Sequence, residues 1–86
     1  MTYRVELTAL AREASVHLSP AIKRQVKEAI RFLSQNPRGG EPLRRELEGL
    51  WKFRLGRFRV IYRLEENRRT VLVIAVGPRK NIYSSL

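Results

Sequence analysis

The run from Leu50 to Leu64, LWKFRLGRFRVIYRL, sets basic residues at close, near-alternating spacing: Lys52, Arg54, Arg57, Arg59 and Arg63. Arg79, Lys80 and Tyr83 follow near the end of the chain. Guanidinium and ammonium groups gathered in this way bind phosphate, and arginine does so with a planar fork of donors that matches the anion. The bulk charge agrees. Eighteen Lys and Arg stand against eight Asp and Glu in 86 residues, for a net charge of +10. Residues 44–86 hold eleven of those cations and only four of the carboxylates. A surface of this sign attracts polyanions from a distance. On charge alone the polyanion could be nucleic acid, an acidic protein or a membrane surface.

Other chemistry finds little support. His17 is the only histidine and falls on a helix far from the basic run. Glu46, Glu48, Glu65 and Glu66 read as surface charges, with Glu46 an outside candidate for a role at the site. There is no metal-ligand spacing, no phosphate-loop glycine pattern and no Ser/His/Asp set, so neither metal nor cofactor is expected. The absence of cysteine excludes disulfides and thiolate metal sites and fits a reducing cytosol. No basic-then-apolar leader opens the chain and no apolar run approaches a membrane span, so a cytoplasmic protein without a membrane partner is expected. Trp51, Tyr62 and Tyr3 read as core. Tyr83, in a polar tail, is the aromatic that packing explains least.

These side chains need a scaffold. Tyr3–Thr8 alternates as a half-buried strand. Ala9–Leu18 reads as a short helix capped by Thr8. Ser19-Pro20 opens a second helix, with Ser at N-cap and Pro at N1. That helix runs to about Gln35 on the stripe Ile22, Val26, Ala29, Ile30 and Leu33. Asn36-Pro37 ends it, and Gly39-Gly40-Glu41-Pro42 reads as loop. From Leu50 the period becomes two. Gly56-Arg57 fits a type II′ hairpin turn, Phe58–Leu64 the returning strand, and Glu66–Arg69 a second turn. Thr70–Val76 is apolar enough for a central strand, broken by Gly77-Pro78. The expected fold is a single α+β domain, residues 1–86, of order β-α-α-β-β-β. Each helix has one apolar stripe, so both pack on one face of a mainly antiparallel four-stranded sheet.

Register then places the cations. A two-residue turn pairs Leu55 with Phe58, which sets Arg54 opposite Arg59 and Lys52 opposite Ile61. The other face carries Trp51, Phe53, Leu55, Phe58, Val60 and Tyr62 toward the helices. A turn at Glu66–Arg69 pairs Glu65 with Thr70 and sets Arg59 opposite Val76, so Arg79 and Tyr83 emerge nearby. Like charges facing each other weaken a sheet. At about 5 Å the repulsion is about 1–3 kcal/mol, against a total stability of about 5–15 kcal/mol. Basic strands also serve as solvated edge protection. Here four cations and a tyrosine converge, and a phosphate between them would relieve the repulsion.

LWKFRLGRFRVIYRL, followed by Val71–Gly77 and Pro78-Arg-Lys-Asn-Ile-Tyr83, resembles the RelE/ParE toxins of bacterial and archaeal toxin–antitoxin pairs. The resemblance spans the chain, and its specific part is the last third. It implies a RelE-like fold and an endoribonuclease that cuts messenger RNA in the ribosomal A site and so inhibits translation. It further implies roles. Arg59 matches the arginine that holds the scissile phosphate. Arg79 matches the one that stabilises the transition state or helps the leaving group. Tyr83 matches a tyrosine that stacks on a base or orients the 2′-hydroxyl. Lys52 and Arg54 match two backbone-contacting lysines, one of them a proposed general base. Arg57 and Lys80 join Arg54 as RNA-binding residues.

Arg54 departs from the family pattern. Arginine stays protonated, so it is a poor base. Lys52, crowded by cations, or Tyr83 is left to accept the proton. The expected partners are a separately encoded antitoxin, messenger RNA and the ribosome. Two rival readings share these features: a ParE-like gyrase inhibitor without nuclease activity, and a non-catalytic nucleic-acid-binding module.

Overall fold

Two helices and five strands are laid out in the computed structural model, which describes residues 2–86. They are β1 (Arg4–Leu7), α1 (Ala9–Val16), α2 (Pro20–Gln35), β2 (Glu41–Pro42), β3 (Leu50–Leu55), β4 (Phe58–Glu65) and β5 (Thr70–Pro78). Short 3₁₀ turns cover Arg45–Leu47, Glu66–Arg68 and Ile82–Ser85. The caps are those the sequence predicts. Thr8 accepts from the Ala11 N–H at 3.1 Å and Ser19 from the Ile22 N–H at 3.3 Å. The first helix stops at Val16 rather than Leu18. His17 and Leu18 donate three residues back, to Ala14 and Ser15, tightening the last turn before Ser19 starts α2.

The sheet order is β1-β5-β4-β3-β2, with β1 parallel to β5 and the other pairs antiparallel. Both helices lie on one face, as an α+β fold of this order requires. Ala11, Val26 and Leu33 from the helices pack there with Val60, Tyr62, Val71 and Val73 from the sheet. The opposite face has a smaller apolar cluster of Ile61, Ala75 and Ile82, flanked by Leu43 and Leu50. The cations of β3 and β4 share this helix-free face.

Three expectations are corrected. The sheet has five strands, not four, because Glu41 and Pro42 pair with Lys52 and Trp51 instead of forming loop. Gly40 makes that approach possible: a Cβ there would lie 2.4 Å from the Lys52 carbonyl oxygen and 2.6 Å from the Tyr62 hydroxyl. The buried Tyr62 hydroxyl donates to Pro37 O at 2.9 Å and accepts from Gly40 N at 3.0 Å, stapling the segment to the sheet.

Gly77-Pro78 does not break β5, which runs through Pro78. Its partner β1 covers only Thr70–Val73, so one edge of β5 is open beyond that point, and the N–H that proline lacks costs no ladder bond.

The third correction is one of register. Ile61 pairs with Ala75 but Tyr62 pairs with Val73, so Ile74 is an extra residue in a β-bulge. Arg59 therefore faces Gly77, not Val76. The bulge also keeps Val71, Val73 and Val76 all in the helix-side core, which strict alternation would forbid.

Candidate functional site

The hairpin positions the site. Gly56 sits at φ 61°, the value a type II′ turn needs at its first position. The resulting register pairs Leu55 with Phe58, Arg54 with Arg59 and Lys52 with Ile61. Directly opposed residues share a face, so Lys52, Arg54 and Arg59 all lie on the helix-free side.

The facing arginines avoid each other. Arg54 turns toward β2, its Nε 3.3 Å from Glu41 Oε1, in a solvent-exposed ion pair. Arg59 folds back along its own hairpin, where Nη1 donates to Gly56 O at 2.9 Å and Phe58 O at 3.1 Å. Only 5% of Arg59 is exposed. A guanidinium carries five N–H donors, and the turn engages those on Nη1.

Glu41 is the residue the sequence reading missed. It stands opposite Lys52 across β2 and β3 and touches Arg54, which puts a carboxylate among the cations. No spacing rule exposes it, because its strand is two residues long, preceded by Gly40 and ending in proline. The carboxylates that were weighed lie elsewhere. Glu65 pairs with Arg63 and Arg68, and Glu66 with Arg38 and the Tyr3 hydroxyl, at the far turn of β4. Glu46 and Glu48 are exposed in the segment before β3. The exposed His17 caps the end of α1 and is no part of the basic face.

Beyond β5 the chain returns to the hairpin tip. Arg79 N donates to Arg57 O at 2.8 Å, which sews the start of the tail to the turn. Gly56, Arg57, Pro78, Arg79, Lys80 and Asn81 line a cleft of about 610 Å³. Three of its six residues are cationic and none is acidic. Tyr83 follows in the terminal 3₁₀ turn, 38% exposed, beside the buried Ile82. The sequence-predicted residues thus form two adjoining groups. Lys52 and Arg54 lie with Glu41 on the sheet face, while Arg57, Arg79 and Lys80 surround the cleft at the hairpin tip. Arg59 lies between them, buried in the hairpin.

Chemically, the cleft offers three cations that could meet phosphate oxygens, and the sheet face sets a carboxylate opposite an amine. Of the tyrosines, burial holds the Tyr62 hydroxyl in its neutral form, raised above the usual range. Tyr3 is raised as well, first through its hydrogen bond to the Glu66 carboxylate. Both are structural.

Comparison with known proteins gives a consistent set of relatives. A sequence profile for the ParE toxin of type II toxin–antitoxin systems matches residues 5–83. Toxin RelG of Mycobacterium tuberculosis is 41% identical over 85 residues, covering 96% of this chain and 98% of that protein. Toxin RelE of the same organism is 32% identical over 83 residues, covering 94% and 86%. Among solved structures, a chain of the RelBE2 toxin–antitoxin complex of M. tuberculosis superposes with a TM-score of 0.85 at 38% identity, covering 92% of this chain and all (100%) of that one.

Proposed function

Because the chain belongs to the RelE/ParE superfamily of type II toxins, we propose that it is an endoribonuclease that cuts messenger RNA in the ribosomal A site. The observation that carries this reading is the acid-free cationic cleft at the hairpin tip, tied by the Arg79–Arg57 bond to a sheet face that holds a carboxylate and a lysine. A gyrase-binding protein has no need of that combination; a phosphodiester cutter does.

The reaction starts with a ribose 2′-hydroxyl. Its oxygen attacks the adjacent phosphorus as its proton leaves to a base. The bond from phosphorus to the 5′-oxygen breaks, and that oxygen takes up a proton. The products are a 2′,3′-cyclic phosphate and a 5′-hydroxyl. Negative charge gathers on the phosphorane oxygens, where preorganised cations contribute most. That task is assigned to Arg79, and the grip on the flanking backbone to Arg57 and Lys80, because these three line the cleft. Arg54 holds a further phosphate once RNA competes with Glu41 for it. Arg59 acts with its remaining donors while Nη1 braces the turn. Tyr83 stacks on a base or orients the 2′-hydroxyl, as single-stranded RNA recognition favours.

Glu41 joins Lys52 and Tyr83 as a proton acceptor, and it is the favoured one. Its carboxylate stands opposite Lys52 and 3.3 Å from Arg54 Nε, so an accepting oxygen lies among the groups assigned to the phosphate. Lys52, directly opposite, is then free to act as a cation.

A toxin must be restrained in its own cell. M. tuberculosis RelBE2 was solved as a toxin–antitoxin complex. For this chain the corresponding partner is a separately encoded antitoxin with an acidic or amphipathic segment that covers the basic face.

The test is incubation with programmed ribosomes and mapping of the new 5′ ends. Cuts within the A-site codon, leaving cyclic phosphate, are expected. Uncut message together with inhibited gyrase supercoiling would move the assignment to the gyrase-poisoning branch.

A further inference from the structure

The tail that carries Arg79 and Tyr83 has little to hold it. Among the described residues, the backbone from Arg79 onward reaches the sheet through one hydrogen bond, Arg79 N to Arg57 O. The other backbone bonds close locally: Asn81 N to Pro78 O, Ser84 N to Asn81 O, and Leu86 N to Tyr83 O. A single 3₁₀ turn of four residues is too short to be stable unsupported.

One side chain supplies the missing attachment. Among the described side chains of residues 79–86, Ile82 alone is buried, at 3% exposure. It completes the cluster of Ile61 and Ala75 on the helix-free face, with Leu43 and Leu50 at its margin. Its seat is shaped by Gly77: a Cβ added there would lie 3.3 Å from Ile82 Cδ1, tighter than an ordinary contact. Gly77 is also the cross-strand partner of Arg59. The seat and the site are thus parts of one surface.

We infer that Ile82 is a positioning residue, whose insertion beside Gly77 fixes where Arg79 and Tyr83 stand relative to the hairpin. The inference rests on the nuclease reading above. Ile82 touches no substrate in this role. It converts a chain end with many conformations into one with a defined placement, which is what attack on a phosphate demands.

The experiment combines cleavage kinetics on programmed ribosomes with amide hydrogen exchange on the free protein. Ile82→Ala is expected to lower kcat by about 30-fold or more, since displacing a catalytic group by about 1 Å can cost about 100-fold. KM should change by less than about threefold, because Arg54 and Arg57, outside the tail, still hold RNA. Protection at the Ser84 and Leu86 amides should vanish while that at Val60 and Val73 persists. Ile82→Val keeps most of the buried apolar surface and should restore both readouts. Gly77→Ala should fall between, and it covers the case in which Ile82→Ala fails to fold.

Two results would overturn the inference. One is an Ile82→Ala protein with a released tail and unchanged kcat. The other is a loss of rate matched by equal loss of protection throughout the sheet. If the wild-type chain cuts no RNA, the nuclease reading fails, and the positioning role falls with it; the exchange data then show separately whether Ile82 docks the tail.

Discussion

Arg54 and Arg59 face each other across β3 and β4, and each has its charged end committed to a different partner. The Arg54 pair with Glu41 is exposed and open to exchange with a phosphate. The Arg59 side chain is buried, and its part-buried contacts with Gly56 and Phe58 brace the hairpin turn. Two arginines in one register therefore do different work, and substitutions separate them.

Arg79→Ala should leave the urea midpoint unchanged and lower cleavage by about 10²–10³-fold, the usual cost of removing one preorganised charge donor. Arg59→Ala should also lower cleavage, but with a loss of about 1–3 kcal/mol in stability, since the carbonyls of Gly56 and Phe58 lose their donor. Parallel urea melts and ribosome assays measure both. An Arg59→Ala protein as stable as wild type would show that its hydrogen bonds contribute nothing to the turn.

Glu41→Gln removes the carboxylate but not the strand. An exposed ion pair contributes about 0–1 kcal/mol, so stability should hold. Cleavage should drop by about 10²–10⁴-fold, the range for a lost general base. Near-wild-type cleavage by Glu41→Gln would return the role to Lys52 or Tyr83, which Lys52→Gln and Tyr83→Phe then distinguish.

Arg57→Ala and Lys80→Ala, at the cleft, should weaken binding to single-stranded RNA irrespective of its sequence. Each should reduce the slope of log affinity against log salt by about 0.7, one phosphate contact. A titration at several salt concentrations reads this directly. An unchanged slope would remove that residue from the backbone grip.

Gly40→Ala should destabilise by about 1–3 kcal/mol, because the added methyl collides with the Lys52 backbone carbonyl, which has no free end to swing aside. Cleavage should fall as well, since β2 carries Glu41. Urea unfolding and exchange at the Leu43 amide, which donates to Leu50 O, report the two effects.

Tyr62 links stability to alkaline pH. Burial raises its hydroxyl in the folded state above the value of 10.0 it has when free. The folded chain therefore holds this proton more tightly than the unfolded chain. Its stabilisation is complete below about pH 10 and is lost as pH rises through the folded value. Tyr3 acts in the same direction through Glu66. Tyr62→Phe should cost about 1–3 kcal/mol at neutral pH by leaving Pro37 O and Gly40 N without a partner. It should also flatten the loss of stability above pH 10, as urea midpoints from pH 8 to 11 would show.

Much of the site is legible in the sequence because one short turn determines it. Once Gly56-Arg57 is read as a two-residue hairpin turn, every pair from Leu55–Phe58 back to Lys52–Ile61 follows by counting. Counting fails past Ile61, where Ile74 bulges, since a period-two pattern of apolar residues looks the same with one residue added. It fails again at Glu41, whose pairing depends on a close backbone approach at Gly40 rather than on any alternation. The burial of Arg59 is hidden for a related reason: its partners are main-chain carbonyls of its own turn, which no residue code displays. Ile82 gives no periodic signal, since Ile82, Tyr83 and Leu86 follow no regular spacing in the tail.

The parallel pairing of β1 with β5 has a kinetic consequence. Arg4 waits for Thr70 as its neighbour, and the strand that joins β1 to the hairpin is the last of the five to be synthesised. Such long-range closure is slow compared with local hairpin formation. A growing chain can form α1, α2 and the β3–β4 hairpin early, but the sheet that backs the site closes only after residue 78 has left the ribosome. The basic strand face and the cleft residues Arg79 and Lys80 are thus brought together only once synthesis has passed β5.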